Sequence, residues 1–221
     1  MPHRTVFMIL MAMVACVLFL VGLVLDVFWL RLLGKPMIHL ALISWMLDQS
    51  RSRYRDYLVV GVSLCMVGDF LLEFRDTLFL PGVLVFLLGH VALIGAFLNL
   101  EKRLFIERAI PFALWGTVLF VILAPGLGAM TVPVLLYTIA ICIMMWRAGA
   151  CLGEHPTNQP QLWIVVIGAV SFAFGDTLIA LDRFHSPLSN ARYVIIISYW
   201  FALMCISQSA SLPKRDPSIG M

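Results

Sequence analysis

Long apolar runs separated by short polar segments make up most of the chain. An apolar helix of about 20 residues crosses the hydrocarbon core of a bilayer. The runs therefore predict an all-α, polytopic integral membrane protein that forms a single transmembrane domain over residues 1–221. The eight predicted spans are 5–28, 36–48, 57–74, 78–99, 106–123, 130–149, 162–182 and 192–212. Pro36 is expected to begin the second span, and the stretch from Pro125 to Gly128 to form a tight turn.

The composition excludes a soluble domain. Of the 221 residues, 62% are hydrophobic and only 12% are charged, whereas soluble domains are about one quarter charged. The net charge is only +3, and the basic residues occur singly or in small groups at the span ends. This pattern indicates contact with membrane lipids and no nucleic-acid partner. The sequence does not define an oligomeric state.

The basic residues also predict the orientation of the helices. With both termini inside, the cytoplasmic ends carry twice as many Lys and Arg residues as the outer ends, as positive-inside topology requires. The cytoplasmic set is Arg4, Arg51, Arg53, Arg55, Lys102, Arg103, Arg108, Arg147, Lys214 and Arg215, and the outer set is Arg31, Lys35, Arg75, Arg183 and Arg192. An N-in, C-in protein with such short loops fits a bacterial inner membrane.

Two acidic residues, Asp69 and Asp176, lie within apolar spans. A charged side chain at the centre of a membrane helix costs about 2.5–3.5 kcal/mol even on an insertion scale. Such a residue normally faces the interior of the helix bundle and has either a partner or a chemical task. The two aspartates are therefore the strongest candidates for a functional site.

The segments around the two aspartates resemble each other and lie in spans three and seven, which run in the same direction. This suggests a parallel repeat of four helices over residues 5–99 and 106–212, with the aspartates at similar depth. The matching segments are Gly68-Asp69-x-Leu71-Leu72 and Gly175-Asp176-x-Leu178-Ile179. Two carboxyl groups in one low-dielectric site are expected to differ in protonation, which suits acid–base chemistry.

Three other interpretations compete with acid–base catalysis. The aspartates could only stabilise the bundle by pairing with Lys or Arg, or serve as proton or cation sites in a coupled transporter. A zinc hydrolase needs about three His, Asp, Glu or Cys ligands in one place. Only His39 and His90 of the five histidines lie in predicted spans, so no metal site is expected.

With these motifs the sequence resembles the YhhN/TMEM86 family of lysoplasmalogenases, which are multi-span membrane hydrolases. The resemblance covers nearly the whole chain, although the family usually has Ser-Asp at Gly175-Asp176 and Tyr-Tyr-x-x-Gln near Tyr199. The matching features are Lys35-Pro36, Gly68-Asp69-x-Leu71-Leu72, Gly89-His90, Pro133 with Tyr137, and Phe172-x-x-Gly175-Asp176-x-Leu178-x-Ala180-x-x-x-Phe184.

The resemblance implies hydrolysis of the vinyl ether bond of a lysophospholipid substrate, the lysoplasmalogen. The products are a fatty aldehyde and glycerophosphoethanolamine or glycerophosphocholine, and no cofactor is expected. Vinyl ether hydrolysis needs an acid that protonates carbon and a base that activates water. Asp69 and Asp176 are expected to share these roles, as paired carboxyls do in glycosidases.

Six further residues are expected to support the site. His90 and Tyr137 would hydrogen-bond the carboxyls or the water, and Lys35 would bind the lipid phosphate or only extend to the interface. Glu73 and Asp182 are interpreted first as solvated residues at the ends of their spans. The second interpretation is that they contact the lipid headgroup. Tyr199 lies where the family has its tyrosine pair.

Overall fold

A computed structural model describes residues 3–74, 77–152 and 159–212 of the chain. Within these ranges the secondary structure is helical, which confirms the all-α prediction. The α-helices are α1 His3–Val24, α2 Phe28–Leu47, α3 Arg53–Glu73, α4 Phe79–Leu100, α5 Ile110–Leu127, α6 Thr131–Ala150, α7 Gln159–Phe184 and α8 Ala191–Gln208.

Helix α2 begins eight residues earlier than predicted, at Phe28 instead of Pro36. Pro36 lies inside the helix, so it does not mark the helix start as its position in the sequence suggested. The predicted start rested on Pro36, because proline is common in the first turn of a helix, and the residues before it include Arg31 and Lys35. Both cations are paired with carboxylates in the structure, and pairing lowers the cost of placing them within a helix of the bundle.

Five stretches of the described residues are long and apolar enough to cross a membrane, and the 106–150 stretch contains both α5 and α6. They are Phe28–Leu47, Phe79–Leu100, Ile106–Ala150, Gln159–Phe184 and Ala191–Ser211. Large apolar side chains such as Val17, Leu88, Val121 and Ile197 are more than half exposed. Apolar surface of this extent is typical of a lipid-facing exterior, so the chain is an integral membrane protein.

The helices pack mainly as three neighbouring pairs, α1 with α2, α3 with α4, and α7 with α8. Helix α4 also packs on α6, and α2 on α3. The core between them is apolar and includes Leu58, Leu93, Phe97, Phe172 and Leu203, each fully enclosed. Helix α2 also contacts α8, and α6 contacts α7 as well as α4.

The glycine-rich stretch after Ile122 is only partly a turn. Pro125 and Gly126 belong to α5, and the chain turns at Gly128, whose φ is +50°. A Cβ atom on Gly126 would overlap the carbonyl oxygen of Phe184 at the end of α7. Gly126 is therefore required because two backbones meet there.

Gly126→Ala is expected to lower the free energy of unfolding by about 1–3 kcal/mol, the usual cost of overpacking. Gly149→Ala is the matched control, because a Cβ there would meet only the ring of Phe112, at 3.5 Å and beyond. Thermal unfolding of both variants in detergent measures the difference. Equal midpoints for the two variants would show that α5 and α7 are not in contact at Gly126.

Candidate functional site

One cavity of about 730 Å³ contains nearly all the candidate residues. It reaches from charged residues at the ends of α2, α3, α7 and α8 to an apolar region beside α5 and α6. His90 is the one candidate that does not line it, and this residue is fully buried behind the wall. The candidates that line the cavity are Lys35, Asp69, Glu73, Tyr137, Asp176, Asp182 and Tyr199.

Asp69 lies four residues before the end of α3, and its side chain is only 8% exposed. Its Oδ1 atom is 3.7 Å from Lys35 Nζ, and its Oδ2 atom is 3.3 Å from His39 Nε2. Oδ2 has no hydrogen-bond partner among the described residues. Asp69 therefore has a lysine beside one of its two oxygens.

Lys35 also contacts Glu73, with 3.1 Å between Nζ and Oε2. Glu73 accepts a hydrogen bond of 2.7 Å from Nε of Arg31, which in turn binds the exposed Asp26. The Glu73 side chain is only 11% exposed, so the expectation of a solvated helix end was wrong for this residue. Glu73 and Arg31 instead hold Lys35 beside Asp69.

Asp176 lies eight residues before the end of α7 and has different neighbours. Its Oδ2 atom accepts a hydrogen bond of 2.7 Å from the Tyr137 hydroxyl and lies 3.6 Å from His90 Nε2. In the described part of the chain, no Lys or Arg nitrogen comes within 4 Å of it. The two carboxyl groups thus share a cavity, but only Asp69 has a cationic side chain beside it.

The two histidines are held in the same tautomer. Nδ1 of His39 donates to the carbonyl oxygen of Lys35, and Nδ1 of His90 donates to that of Phe86. Because a carbonyl oxygen only accepts, the Nε2 atom of each neutral ring carries a lone pair. Nε2 of His39 accepts from the Tyr199 hydroxyl at 2.9 Å, whereas Nε2 of His90 has no partner in the described residues.

The surroundings of the two aspartates correspond helix by helix. Oδ2 of Asp69 on α3 lies 3.3 Å from Nε2 of His39 on α2, and this nitrogen accepts a hydrogen bond from the Tyr199 hydroxyl of α8. Asp176 on α7 lies between Tyr137 of α6 and His90 of α4. Each carboxyl group therefore has one histidine and one tyrosine nearby. The helices that carry them correspond at a spacing of four, α2 with α6 and α8 with α4, but histidine and tyrosine are exchanged between the two sites.

The glycine before each aspartate is a point of close helix contact. A Cβ atom on Gly68 would lie 2.5 Å from the ring of Phe86 on α4, and one on Gly175 would lie 3.0 Å from Ser198 Oγ on α8. Small residues allow helices to approach in this way. These contacts fix α3 on α4 and α7 on α8 next to the two carboxyl groups.

Aromatic rings separate the aspartates from the core. Phe172 contacts His90 and Tyr199 edge-on, with 4.8 Å and 5.2 Å between the ring centroids. His90 and Tyr137 meet in the same way at 5.0 Å. This chain of ring contacts connects the two carboxyl sites and restricts the rotation of the groups that hydrogen-bond them.

The far part of the cavity is apolar. Trp115, Leu119 and Leu123 of α5 face Val134 and Ile141 of α6 across it. Pockets that bind small molecules combine such apolar walls with a few placed polar groups. The arrangement suits a ligand with a long hydrocarbon chain, a reactive centre at the aspartates and a polar end at the charged mouth.

Of the remaining candidates, Asp182 lies at the mouth, where its Oδ1 atom accepts a hydrogen bond from the backbone N–H of Leu188 at 2.8 Å. Sequence reasoning missed His39, which is fully buried beside Asp69. Its spacing from Lys35 was an available signal, because residues four apart share one face of a helix.

The described residues contain no group of three or more His, Cys, Asp or Glu side chains arranged to hold a metal ion. Two pairs, His39 with Asp69 and His90 with Asp176, come closest to such a group. Each of these histidines is turned by its backbone hydrogen bond so that Nε2 faces the carboxyl group.

Comparisons with known proteins place this site in a family context. Lysoplasmalogenase TMEM86A of Bos taurus is 31% identical over 163 residues, which are 72% of this chain and 66% of that protein. Lysoplasmalogenase TMEM86B of Homo sapiens is 29% identical over 204 residues, covering 85% and 80% of the two chains. The lysoplasmalogenase of Mycobacterium bovis is 33% identical over 159 residues, covering 68% and 58%.

No solved structure matches the chain. The chain spans slightly less than two thirds of the bovine relative's length. A family model described as the YhhN family matches residues 30–210, a range that contains the two aspartates and every residue that flanks them. The resemblance that the sequence motifs indicated is thereby confirmed, and the chain belongs to the YhhN family.

Proposed function

We propose that this protein is an intramembrane hydrolase that cleaves the vinyl ether bond of lysoplasmalogens. The observation that carries the proposal is the presence of two buried carboxyl groups in one cavity, only one of which has a lysine beside it. The apolar part of the cavity suits the alkenyl chain. The name lysoplasmalogenase, which the related proteins carry, supports the same substrate class.

Asp176 is the proton donor in this proposal, and Asp69 is the base. A buried carboxyl group without a cation is favoured in its neutral form, whereas Lys35 favours the ionised form of Asp69. The hydroxyl of Tyr137 orients the Asp176 carboxyl group through its hydrogen bond, and Nε2 of His90 lies 3.6 Å from the same oxygen. Nε2 of His39 accepts from Tyr199 and has no proton to give to a carboxylate, so Lys35 is the group that positions Asp69.

The reaction begins when Asp176 transfers its proton to the β-carbon of the vinyl ether. The π electrons form the new C–H bond, and the ether oxygen shares its lone pair with the α-carbon to give an oxocarbenium ion. The carboxylate of Asp69 stabilises this cation and accepts a proton from a water molecule as the water oxygen bonds to the α-carbon. This step yields a hemiacetal.

The hemiacetal then collapses to the two products. The bond between the α-carbon and the glycerol oxygen breaks, and the proton on Asp69 passes to that oxygen. The hydroxyl proton of the hemiacetal returns to Asp176 as the aldehyde C=O forms. Both carboxyl groups end in their starting states, and no cofactor is consumed.

The same proposal includes the topology read from the sequence. Eight spans with N-in and C-in orientation would place the mouth residues Arg31, Lys35, Glu73 and Arg192 at the outer side of a bacterial inner membrane. The neighbours of Asp69 lie on α2 and α8 and those of Asp176 on α6 and α4, and this spacing of four helices supports the parallel four-plus-four repeat. Cysteine labelling from either side of oriented vesicles tests this orientation.

A coupled transporter would use the same buried carboxyl groups as proton or cation sites. The related proteins reported above carry an enzyme's name, and the apolar part of the cavity favours a lipid chain over a hydrated ion. Hydrolysis by detergent-purified protein, where no gradient exists, separates the two functions.

The test is aldehyde release from lysoplasmenylethanolamine by the purified protein, with immediate borohydride reduction of the aldehyde. In D₂O the trapped product is expected to carry one deuterium on the carbon that Asp176 protonates. In H₂¹⁸O the glycerophosphoethanolamine is expected to contain no ¹⁸O, because its oxygen comes from the substrate. A glycerol product that contains ¹⁸O would exclude the oxocarbenium route, and no aldehyde from folded protein would contradict the proposed function.

A further inference from the structure

The mouth of the cavity contains two arginines that the reaction scheme does not use. Arg183, near the end of α7, and Arg192, near the start of α8, both line the cavity and are both exposed. The other basic residues of the mouth, Arg31 and Lys35, already have carboxylate partners within 4 Å.

Neither Arg183 nor Arg192 has a carboxylate partner within 4 Å in the described part of the chain. Arg183 instead lies over the ring of Phe79, with 5.0 Å between Cζ and the ring centroid. This contact holds the guanidinium group at the mouth and leaves its N–H groups available. The nearest acidic residue in sequence, Asp182, uses Oδ1 to accept from the backbone of Leu188.

The start of α8 adds positive potential at the same place. Ala191 and Arg192, the first two residues of this helix, line a smaller cavity of about 340 Å³ that shares Leu23, Asp182 and Arg192 with the main one. The first turn of α8 has no acidic residue, and Asn190 makes no side-chain cap. The N–H groups of Ala191 and Tyr193 already donate to backbone carbonyls, so the dipole of α8 is what favours an anion at this helix start.

We infer that Arg183 and Arg192 form the binding site for the phosphodiester of the substrate headgroup. Guanidinium groups bind phosphate oxygens through paired, charge-assisted hydrogen bonds. This inference rests on the proposed function, and it assigns the phosphate to the two arginines instead of to Lys35. Lys35 is engaged by Glu73 and Asp69, so its charge acts on the carboxyl groups.

The experiment compares two substrates with the same alkenyl chain, lysoplasmenylethanolamine and 1-O-alkenylglycerol, which lacks the phosphate. The ratio of their kcat/KM values measures what the phosphate contributes. In Arg183→Gln and Arg192→Gln this ratio is expected to fall on the order of tenfold each, chiefly through KM. The variants Arg183→Lys and Arg192→Lys are expected to recover part of it, because they keep the charge.

Arg51→Gln is the matched control, since Arg51 is 87% exposed in the connection between α2 and α3. The inference would be overturned if the kcat/KM ratio of the two substrates were unchanged in both Arg→Gln variants. It would also be overturned if this ratio fell only in a Lys35→Met variant measured beside them. Competition by glycerophosphoethanolamine but not by equal inorganic phosphate would assign the site to a headgroup. Competition by both equally would reduce it to a general anion site and contradict the inference. A wild type that cleaves neither substrate would instead contradict the proposed function.

Discussion

Asp176→Asn and Asp69→Asn are each expected to lower kcat for aldehyde release by about 10²–10⁴-fold, the usual contribution of a general acid or base. The amide has the shape of the carboxyl group, but it neither delivers a proton to carbon nor accepts one from water. The double variant is expected to be about as slow as the slower single variant, because the two groups act on one reaction path. Purified variants with the gel-filtration profile of the wild type give the comparison.

The matched control is Asp56→Asn on α3, the helix that carries Asp69. Asp56 is 45% exposed and pairs with Arg55 at the other end of this helix, so its loss should leave kcat unchanged. Full turnover in either Asp69→Asn or Asp176→Asn would rule out the two-carboxyl mechanism. A tenfold loss that appears equally in Asp56→Asn would indicate an effect on folding.

The helices were largely predictable because the membrane requires long apolar runs, and these are visible in the chain. The error at the start of α2 has a physical cause. Arg31 and Lys35 looked like loop residues, because a lone cation in a span is costly. Glu73, the partner of both cations, is about 40 residues away in sequence on α3, so no local pattern showed that it compensates their charges.

The two aspartates were predictable for the same reason, since a carboxyl group inside an apolar run stands out. The difference between the surroundings of the two aspartates could not be predicted, because it depends on how each helix is rotated about its axis. Asp69 has Lys35 as a neighbour and Asp176 has Tyr137, and these contacts arise from α2 packing on α3 and α6 packing on α7. His39 was missed as a site residue because nothing in the sequence shows that Asp69 lies beside it in the folded protein.

Lys35→Met is expected to lower kcat on the order of 10²-fold, the second largest effect. Lys35 is the only Lys or Arg within 4 Å of Asp69 in the described residues, and Met retains the length of the side chain without its charge. Without the cation the ionised form of Asp69 loses its main stabilisation, so the base and the cation stabiliser are both weakened. Lys35→Arg is expected to retain most of the activity.

Glu73 provides the decisive comparison, because Lys35 touches it as well, at 3.1 Å. If Lys35 acts on Asp69, the double variant Lys35→Met/Glu73→Gln should have a kcat as low as that of Lys35→Met alone. The single variant Glu73→Gln should then lose less kcat than either of these two variants. If Lys35 only neutralises Glu73, removing both charges should restore activity. A double-mutant cycle of kcat measures the coupling directly. Restoration would show that the lysine is structural and that another group controls the ionisation of Asp69.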